Sequence, residues 1–509
     1  MRSHRVHASV VVFFGLTWLL GAVWAIATPV MGVPDEPAHV IRAASVVRGQ
    51  VLAGSIERGG RRVDTARIPE TLVWPEAPCY AHHDDQTPNC DVAPRGRGDV
   101  LVEVESRAAR YNPVYYAVVG VPTLVAPGRT TIYVMRLVTA ALVAALVAMA
   151  AYAILESPTP RWALVGLAAA TTPMLLFLAG SVNPNAVEIA AGLALWATLL
   201  SWFSSPAPEL DRSRAVRATV AASALVMSRA LSPAFLLLIV GGSLLVLERG
   251  ASRRVWRVGR VAVGVVGAMT VAALAWTIGV GSLSTSGVAY PEYQDAGRYL
   301  VTMLLSLNEF ERQMIGIFGW LDTPADPHVY TLWFAILGFL VVSALAIGET
   351  RHRLLLLGLI ALSVVFPLVA QYPAAPRLGL IWQGRYLLPL MVGLPLAAGW
   401  VLTSSERWNQ LMATRWAFWM PVGTFATLQV GAFWYALHRN VVGAGGDWIR
   451  SQPLWQPPLG WMPLIIVYAA VVAGWTASLA GLGVAARSSS AMRGGTEGAS
   501  AAPAVRRAR

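Results

Sequence analysis

The chain has 509 residues, 56% of them hydrophobic and 13% charged, and its apolar residues fall in long runs, which is the composition of a polytopic membrane protein rather than a soluble domain. The net charge of +12 is carried without a single lysine, and the arginines lie in short loops between apolar runs instead of forming a basic stripe. That distribution argues against nucleic-acid binding.

Residues 1–7 are basic and lead into an apolar run over 8–28, about the length that crosses a bilayer core. Ala25-Ile26-Ala27 resembles a small-residue cleavage site, but the run exceeds the roughly 7 to 15 apolar residues of a signal peptide, so an uncleaved first span is expected. Just beyond it, Val33-Pro34-Asp35-Glu36-Pro37-Ala38-His39 places adjacent carboxylates and a histidine together. Pro37 suits a first helical turn that Asp35 can cap, and a helix to about Gly49 would bring Asp35, Glu36 and His39 near one face. With Val40, Ile41, Ala44 and Val47 as its apolar side, this helix is expected to lie on the outer membrane surface.

The polar loop over 29–129 holds the only two cysteines, Cys79 and Cys90, which are expected to form a disulfide worth about 3 kcal/mol in an oxidising compartment. His82-His83-Asp84-Asp85 has the residue types of a metal site, yet adjacent ligands on a loop fit a solvated segment better. Asn112-Pro113-Val114-Tyr115-Tyr116 opens an apolar stretch to about Ala126 that is too short to span, so an interfacial helix is expected there. Further spans are expected at 130–154, 161–181, 185–203, 215–229, 232–248, 258–281, 329–347, 354–371, 386–403, 415–437 and 460–485, making twelve.

These divide the chain into 1–28 (first span), 29–129 (first loop), 130–281 (six spans), 282–328 (second large loop), 329–485 (five spans with outer loops 371–386 and 438–460) and a disordered tail, 486–509. With both termini cytoplasmic, the inner segments carry 20 Arg and 7 acids, net +13, against 19 Arg and 20 acids elsewhere, net −1, as the positive-inside rule requires. The 282–328 loop contains an amphipathic helix over Tyr299–Ile315, followed by Gly316-Ile317-Phe318-Gly319-Trp320-Leu321-Asp322-Thr323-Pro324.

The polar residues thus collect on the outer face. Sugar transfer from a lipid phosphate requires a carboxylate to accept the proton of the acceptor hydroxyl and positive charge for the departing phosphate. Asp35 and Glu36, with His39 in support, are the carboxylate candidates; Arg385, Arg377 and Arg229 are the phosphate holders, with Gln383 and Tyr386 beside Arg385. Asp35 and Glu36 could equally ligate Mg2+ or Mn2+, or only cap a helix. Arg385 and Arg229 could simply snorkel to the interface, Trp320 and Trp382 belong to an aromatic belt, and Asn183 shapes a turn with Pro184 and Asn185.

Pro34-Asp35-Glu36-Pro37-Ala38-His39, Asn112-Pro113-Val114-Tyr115-Tyr116, Asn183-Pro184-Asn185, Phe318-Gly319-Trp320-Leu321-Asp322-Thr323 and Gln383-Gly384-Arg385-Tyr386 together resemble the bacterial membrane-protein family known as domain of unknown function 2142, over roughly residues 10 to 440. That resemblance implies an all-α integral membrane protein like the GT-C glycosyltransferases, with Asp35 and Glu36 at the acidic-motif position of the first outer loop, here Asp-Glu rather than Asp-Asp. It adds Tyr115, Tyr116, Asn183, Trp320 and Asp322 as outer-face candidates. The expected activity is inverting transfer from a polyprenyl-phosphate sugar to an envelope glycan or glycolipid outside the plasma membrane. The competing expectation is a transporter or flippase for a lipid-linked sugar. A transporter should place ionisable residues at mid-membrane; here Glu188 is the main carboxylate well inside a span, and the polar residues crowd the outer loops instead.

Overall fold

The computed structural model describes residues 2–58, 61–157, 159–204, 207–283, 290–447 and 452–499, without side chains at 2–5, 58, 61–62 and 484–499. Every stretch expected to span contains helix, although 161–181 and 386–403 are broken. Among the described residues seven helices are long and apolar enough to cross a membrane, or eight if the bent pair Arg161–Ala170 and Pro173–Ala179 counts as one span. The pair bends by 61°, where Pro173 lacks the N–H that would continue the first helix. The helices Asp211–Val226 and Ser232–Leu244, at 16 and 13 residues, and the broken helix over 388–404 are shorter than a full crossing.

Pro184–Ser204 is the central helix, and the hydrophobic window of that span is wholly buried. Arg129–Ile154 packs along it and against Arg2–Ala27. At the periphery, Ser252–Gly279 turns nearly all of its apolar surface outward, as a lipid-facing helix does. Close approach needs small residues: a Cβ on Gly166 would lie 2.4 Å from the Pro395 carbonyl oxygen, and one on Gly399 2.3 Å from that of Trp162, so these two glycines let their helices touch through backbone.

The loops between 27 and 129 depart from the all-helical expectation. Gly54–Arg58, Arg61–Pro69 and Leu101–Glu105 form a three-stranded antiparallel sheet, in register Ile56 with Val63 and Ile68 with Val102. Alternating side chains in Leu101-Val102-Glu103-Val104-Glu105 carry the period of a half-buried strand. The helix after the acidic motif is Glu36–Val46, ending three residues short of Gly49, and ten of its eleven residues are buried. It is therefore enclosed by the first loop instead of lying on a surface. The 112–126 stretch becomes a short helix, Pro113–Val119, and a 3-10 turn, Val121–Leu124. Val114, Val118, Val121 and Leu124 are exposed, the apolar side expected of an interfacial element.

Cys79 and Cys90 are bonded to each other. The expected helix over 299–315 is two helices, Ala296–Leu305 and Leu307–Gly316, interrupted at Ser306. The last helix runs from Trp461 to Ala499, so the tail expected to be disordered from 486 continues as helix; no proline interrupts it before Pro503. Residues 500–509 lie outside the described residues.

Candidate active site

Asp35 of the first loop, Arg229 in the turn after Asp211–Val226 and Arg385 before Leu388 converge at one end of the bundle, and Trp320 and Asp322 bond to the first loop beside them. Asp35 occupies the N-cap position of Glu36–Val46 but makes no capping bond, and its φ of +68° puts a non-glycine residue in the left-handed region. Freed from capping, the carboxylate meets Arg385, whose Nη2 donates to Oδ2 at 2.8 Å. Oδ1 has no hydrogen bond among the described residues. The Asp35 side chain is 54% exposed although protein surrounds it on most sides, as at the open floor of a depression. Burial pushes its carboxyl up, but the charges of Arg385 and Arg229 outweigh that and hold it below the usual carboxylate range.

Arg385 is 3% exposed, so it does not snorkel. Its Nε donates to Gln383 Oε1 at 2.6 Å and its guanidinium lies 5.3 Å from the Tyr386 ring centroid, while Nη1 is buried without a partner. The 3-10 turn Gly384–Tyr386 that carries it is pressed onto Leu307–Gly316: a Cβ on Gly384 would fall 1.9 Å from the Phe310 carbonyl oxygen, and Gln313 Oε1 accepts the Gly384 N–H at 2.7 Å. Arg229 approaches the same Tyr386 ring at 4.4 Å, so two guanidiniums share one aromatic partner. Arg377 is exposed on Ala375–Leu378 and is not among the charges acting on Asp35.

Glu36 has a different fate. Both of its oxygens are taken by Arg136, at 2.8 and 2.6 Å, and Oε1 also accepts the Val182 N–H at 3.0 Å. Arg136 donates in addition to the carbonyls of Ala25, Thr28 and Pro29, and neither side chain of the pair is exposed. This corrects the expectation of a second catalytic or metal-binding carboxylate: Glu36 is consumed as a staple between the first loop and the Arg129–Ile154 helix. With Glu36 held by Arg136 and Asp35 flanked by two guanidiniums, the pair does not fit Mg2+ or Mn2+, which need several oxygen ligands free of competing cations. Among the described residues, no group of three His, Cys, Asp or Glu could hold a metal, His82-His83-Asp84-Asp85 included.

His39 is buried, with Nδ1 2.8 Å from Tyr116 Oη and its ring against Tyr111 and Tyr116. Burial lowers its pKa to about 3, with Arg229 and Arg385 adding and Asp35 opposing, so the ring is neutral and packs behind Asp35. Tyr115 Oη bonds Thr139 Oγ1 at 2.9 Å; burial pushes the hydroxyls of both Tyr115 and Tyr116 up. Both tyrosines are walls of the first loop, away from solvent. Asn183 Oδ1 accepts the Asn185 N–H at 3.0 Å while Nδ2 reaches the Pro34 carbonyl at 3.5 Å, tying this turn to the residue before Asp35. Trp320 donates to the Met31 carbonyl, and Trp382 is buried against Phe366 and Tyr386, so both pack inward rather than forming a belt.

Asp322 is a further correction. It is 7% exposed and pairs with Arg439 at 3.1 Å, accepts the His82 N–H, and clamps the disulfide loop, whose Tyr80, His83 and Gln86 carbonyls accept from Arg439. Sequence reasoning missed Arg136, Arg439, Tyr111 and Ser232. Arg136 had a usable signal, a lone arginine inside an apolar run, which requires an inward partner. Glu188 is in the second turn of its helix and lies 3.7 Å from Arg229, near the loop-bearing end rather than at mid-span.

The family model described as predicted membrane protein, DUF2142, matches residues 18–394. No curated protein matches in sequence. Crystal structures of ArnT from Cupriavidus metallidurans, bound to undecaprenyl phosphate and in the apo state, are similar at 16% and 15% identity, each with a TM-score of 0.44 and covering 94% of this chain and 77% of that one.

Proposed function

The chain belongs to the DUF2142 family of predicted membrane proteins, and from that premise we propose that it is a glycosyltransferase using a polyprenyl-phosphate sugar at the extracytoplasmic face. The observation that carries the reading is the unsaturated ion cluster: an accessible Asp35 with a free Oδ1, beside a buried Arg385 whose Nη1 has no partner, and a second guanidinium on the same tyrosine. A buried guanidinium nitrogen without an acceptor favours an anionic ligand, and its planar fork suits phosphate oxygens.

In the reaction, the acceptor hydroxyl oxygen bonds to the anomeric carbon and its proton passes to Asp35. The bond from that carbon to the phosphate oxygen breaks, and its electron pair leaves with the polyprenyl phosphate, whose charge Arg385 and Arg229 balance. Attack opposite the leaving group inverts the anomeric centre. The acceptor is an envelope glycan or glycolipid, and the arginine asymmetry supports placing both termini in the cytoplasm.

The test is sugar transfer from a synthetic polyprenyl-phosphate donor by purified protein, with Asp35→Asn as the matched control. Loss of transfer with an unchanged melting temperature is expected. Near-normal transfer by Asp35→Asn would reject Asp35 as the base, and failure of the unaltered protein to use any such donor would reject the activity.

A further inference from the structure

We infer that Glu188 is a positioning residue that keeps Arg229 off Asp35 and in place to receive an anionic headgroup. This rests on the reading of the Asp35 cluster as a phosphate site. Glu188 is 1% exposed and is itself fixed: Oε1 accepts from Ser232 Oγ at 2.6 Å and Oε2 from Asn185 Nδ2 at 3.0 Å. Ser232 Oγ also accepts the Arg229 N–H at 3.1 Å, so the backbone and the side chain of Arg229 are referred to the same anchor.

Arg229 Nη1 is 3.7 Å from Glu188 Oε2, within attraction but beyond a hydrogen bond. The carboxylate therefore orients the guanidinium without consuming its donors. Arg229 lies over Tyr386, the ring that Arg385 also approaches, and Arg385 pairs with Asp35, so the carboxylates of both Glu188 and Asp35 act on Arg229. Glu188 is buried and held twice, whereas Asp35 is already paired with Arg385. Remove the charge of Glu188, and the remaining attraction draws Arg229 toward Asp35. Two guanidiniums would then clamp the accessible Asp35 carboxylate, and the long side chain would lose the fixed start point that an anion needs.

The experiment is a double-mutant cycle with Glu188→Gln and Arg229→Gln in the full chain. Binding of a short-chain polyprenyl phosphate is measured by calorimetry in detergent, alongside the melting temperature of each variant. Glutamine keeps the size of Glu188; its amide oxygen can still accept from Asn185 Nδ2 while its amide nitrogen donates to Ser232 Oγ, so melting should change little. Glu188→Gln should weaken binding about tenfold alone and change it by less than about twofold when Arg229 is already glutamine. Equal losses in both backgrounds, tighter binding, or a loss that tracks a fall in melting temperature would overturn the role. If Glu188→Gln fails to insert, Asn185→Ala removes one anchor of the same carboxylate and should give a smaller loss with the same dependence on Arg229; independence from Arg229 there also overturns it. An unaltered protein that binds the probe but transfers no sugar defeats the proposed activity and leaves the Glu188 result standing. Absence of binding by the unaltered protein defeats both.

Discussion

Asp35 and Glu36 are neighbours in the chain and form ion pairs of similar length, 2.8 Å to Arg385 and 2.6 Å to Arg136, yet one lies at an open rim and the other in a sealed interior. In the sealed pair, every carboxylate oxygen and all three guanidinium nitrogens are engaged. In the rim pair, a carboxylate oxygen and a guanidinium nitrogen remain unused. Proximity of charges does not distinguish the two pairs; the accessibility of the Asp35 carboxylate, together with its unused oxygen, does. At the opposite end of the bundle a second buried carboxylate has both oxygens engaged: Glu156 is held by Arg214, Arg217 and Ser201. A cavity of about 550 Å³ lies nearby, lined by Ser157, Ser201, Trp400, Thr403 and Glu406 among others, and contains none of the rim residues.

The comparison breaks most sharply at Asp35. Asp35→Asn should lower transfer about 100-fold to 10,000-fold, the range of a lost general base. Its stability should stay within about 1 kcal/mol, because no capping bond is lost and asparagine tolerates the left-handed backbone. At this half-exposed position the amide oxygen still accepts from Arg385 with solvent at hand, unlike the sealed Glu36 site. Glu36→Gln should do the reverse. It strands Arg136 as a buried, unpaired charge, at about 3–5 kcal/mol of stability, read as a fall in melting temperature or as failure to insert. A Glu36→Gln protein that melts normally but has lost transfer would place Glu36 among the reacting groups and erase the distinction.

A smaller effect is expected at Arg385. Lysine there keeps the charge but cannot hold Gln383, Asp35 and a phosphate at once, so donor use should drop about tenfold with little change for the acceptor. An equal change in both constants would argue for a general packing role instead.

The smallest effect concerns His39. Its folded pKa of about 3 lies below the 6.5 of an unperturbed histidine, so the unfolded chain takes up a proton first as pH falls. The stability this residue contributes is complete above 6.5 and declines progressively toward pH 3, by about 1 kcal/mol at pH 6. Melting at pH 7 and pH 6 should therefore differ less for His39→Gln than for the unaltered protein. An unchanged difference would mean that His39 titrates near its ordinary value and is not the buried neutral ring described above.

Much of this arrangement was legible in the chain. Long apolar runs gave the positions of the helices because a bilayer-spanning segment must satisfy its backbone internally, and the charged residues outside those runs marked Asp35, Arg229 and Arg385. The sheet was less legible, since Gly54–Arg58 and Leu101–Glu105 are only five residues each and far apart in sequence.

The sequence by itself determined which residue types are present near the first span and the order of the helices. It could not decide which of two adjacent carboxylates turns inward. That choice belongs to the tertiary structure: the left-handed turn at Asp35 sends its side chain outward to a guanidinium 350 residues away, while Glu36, one position on, enters the helix and faces Arg136. Ion pairing is set by where backbones converge in space, and that convergence depends on packing between distant helices, which no local pattern of residues records.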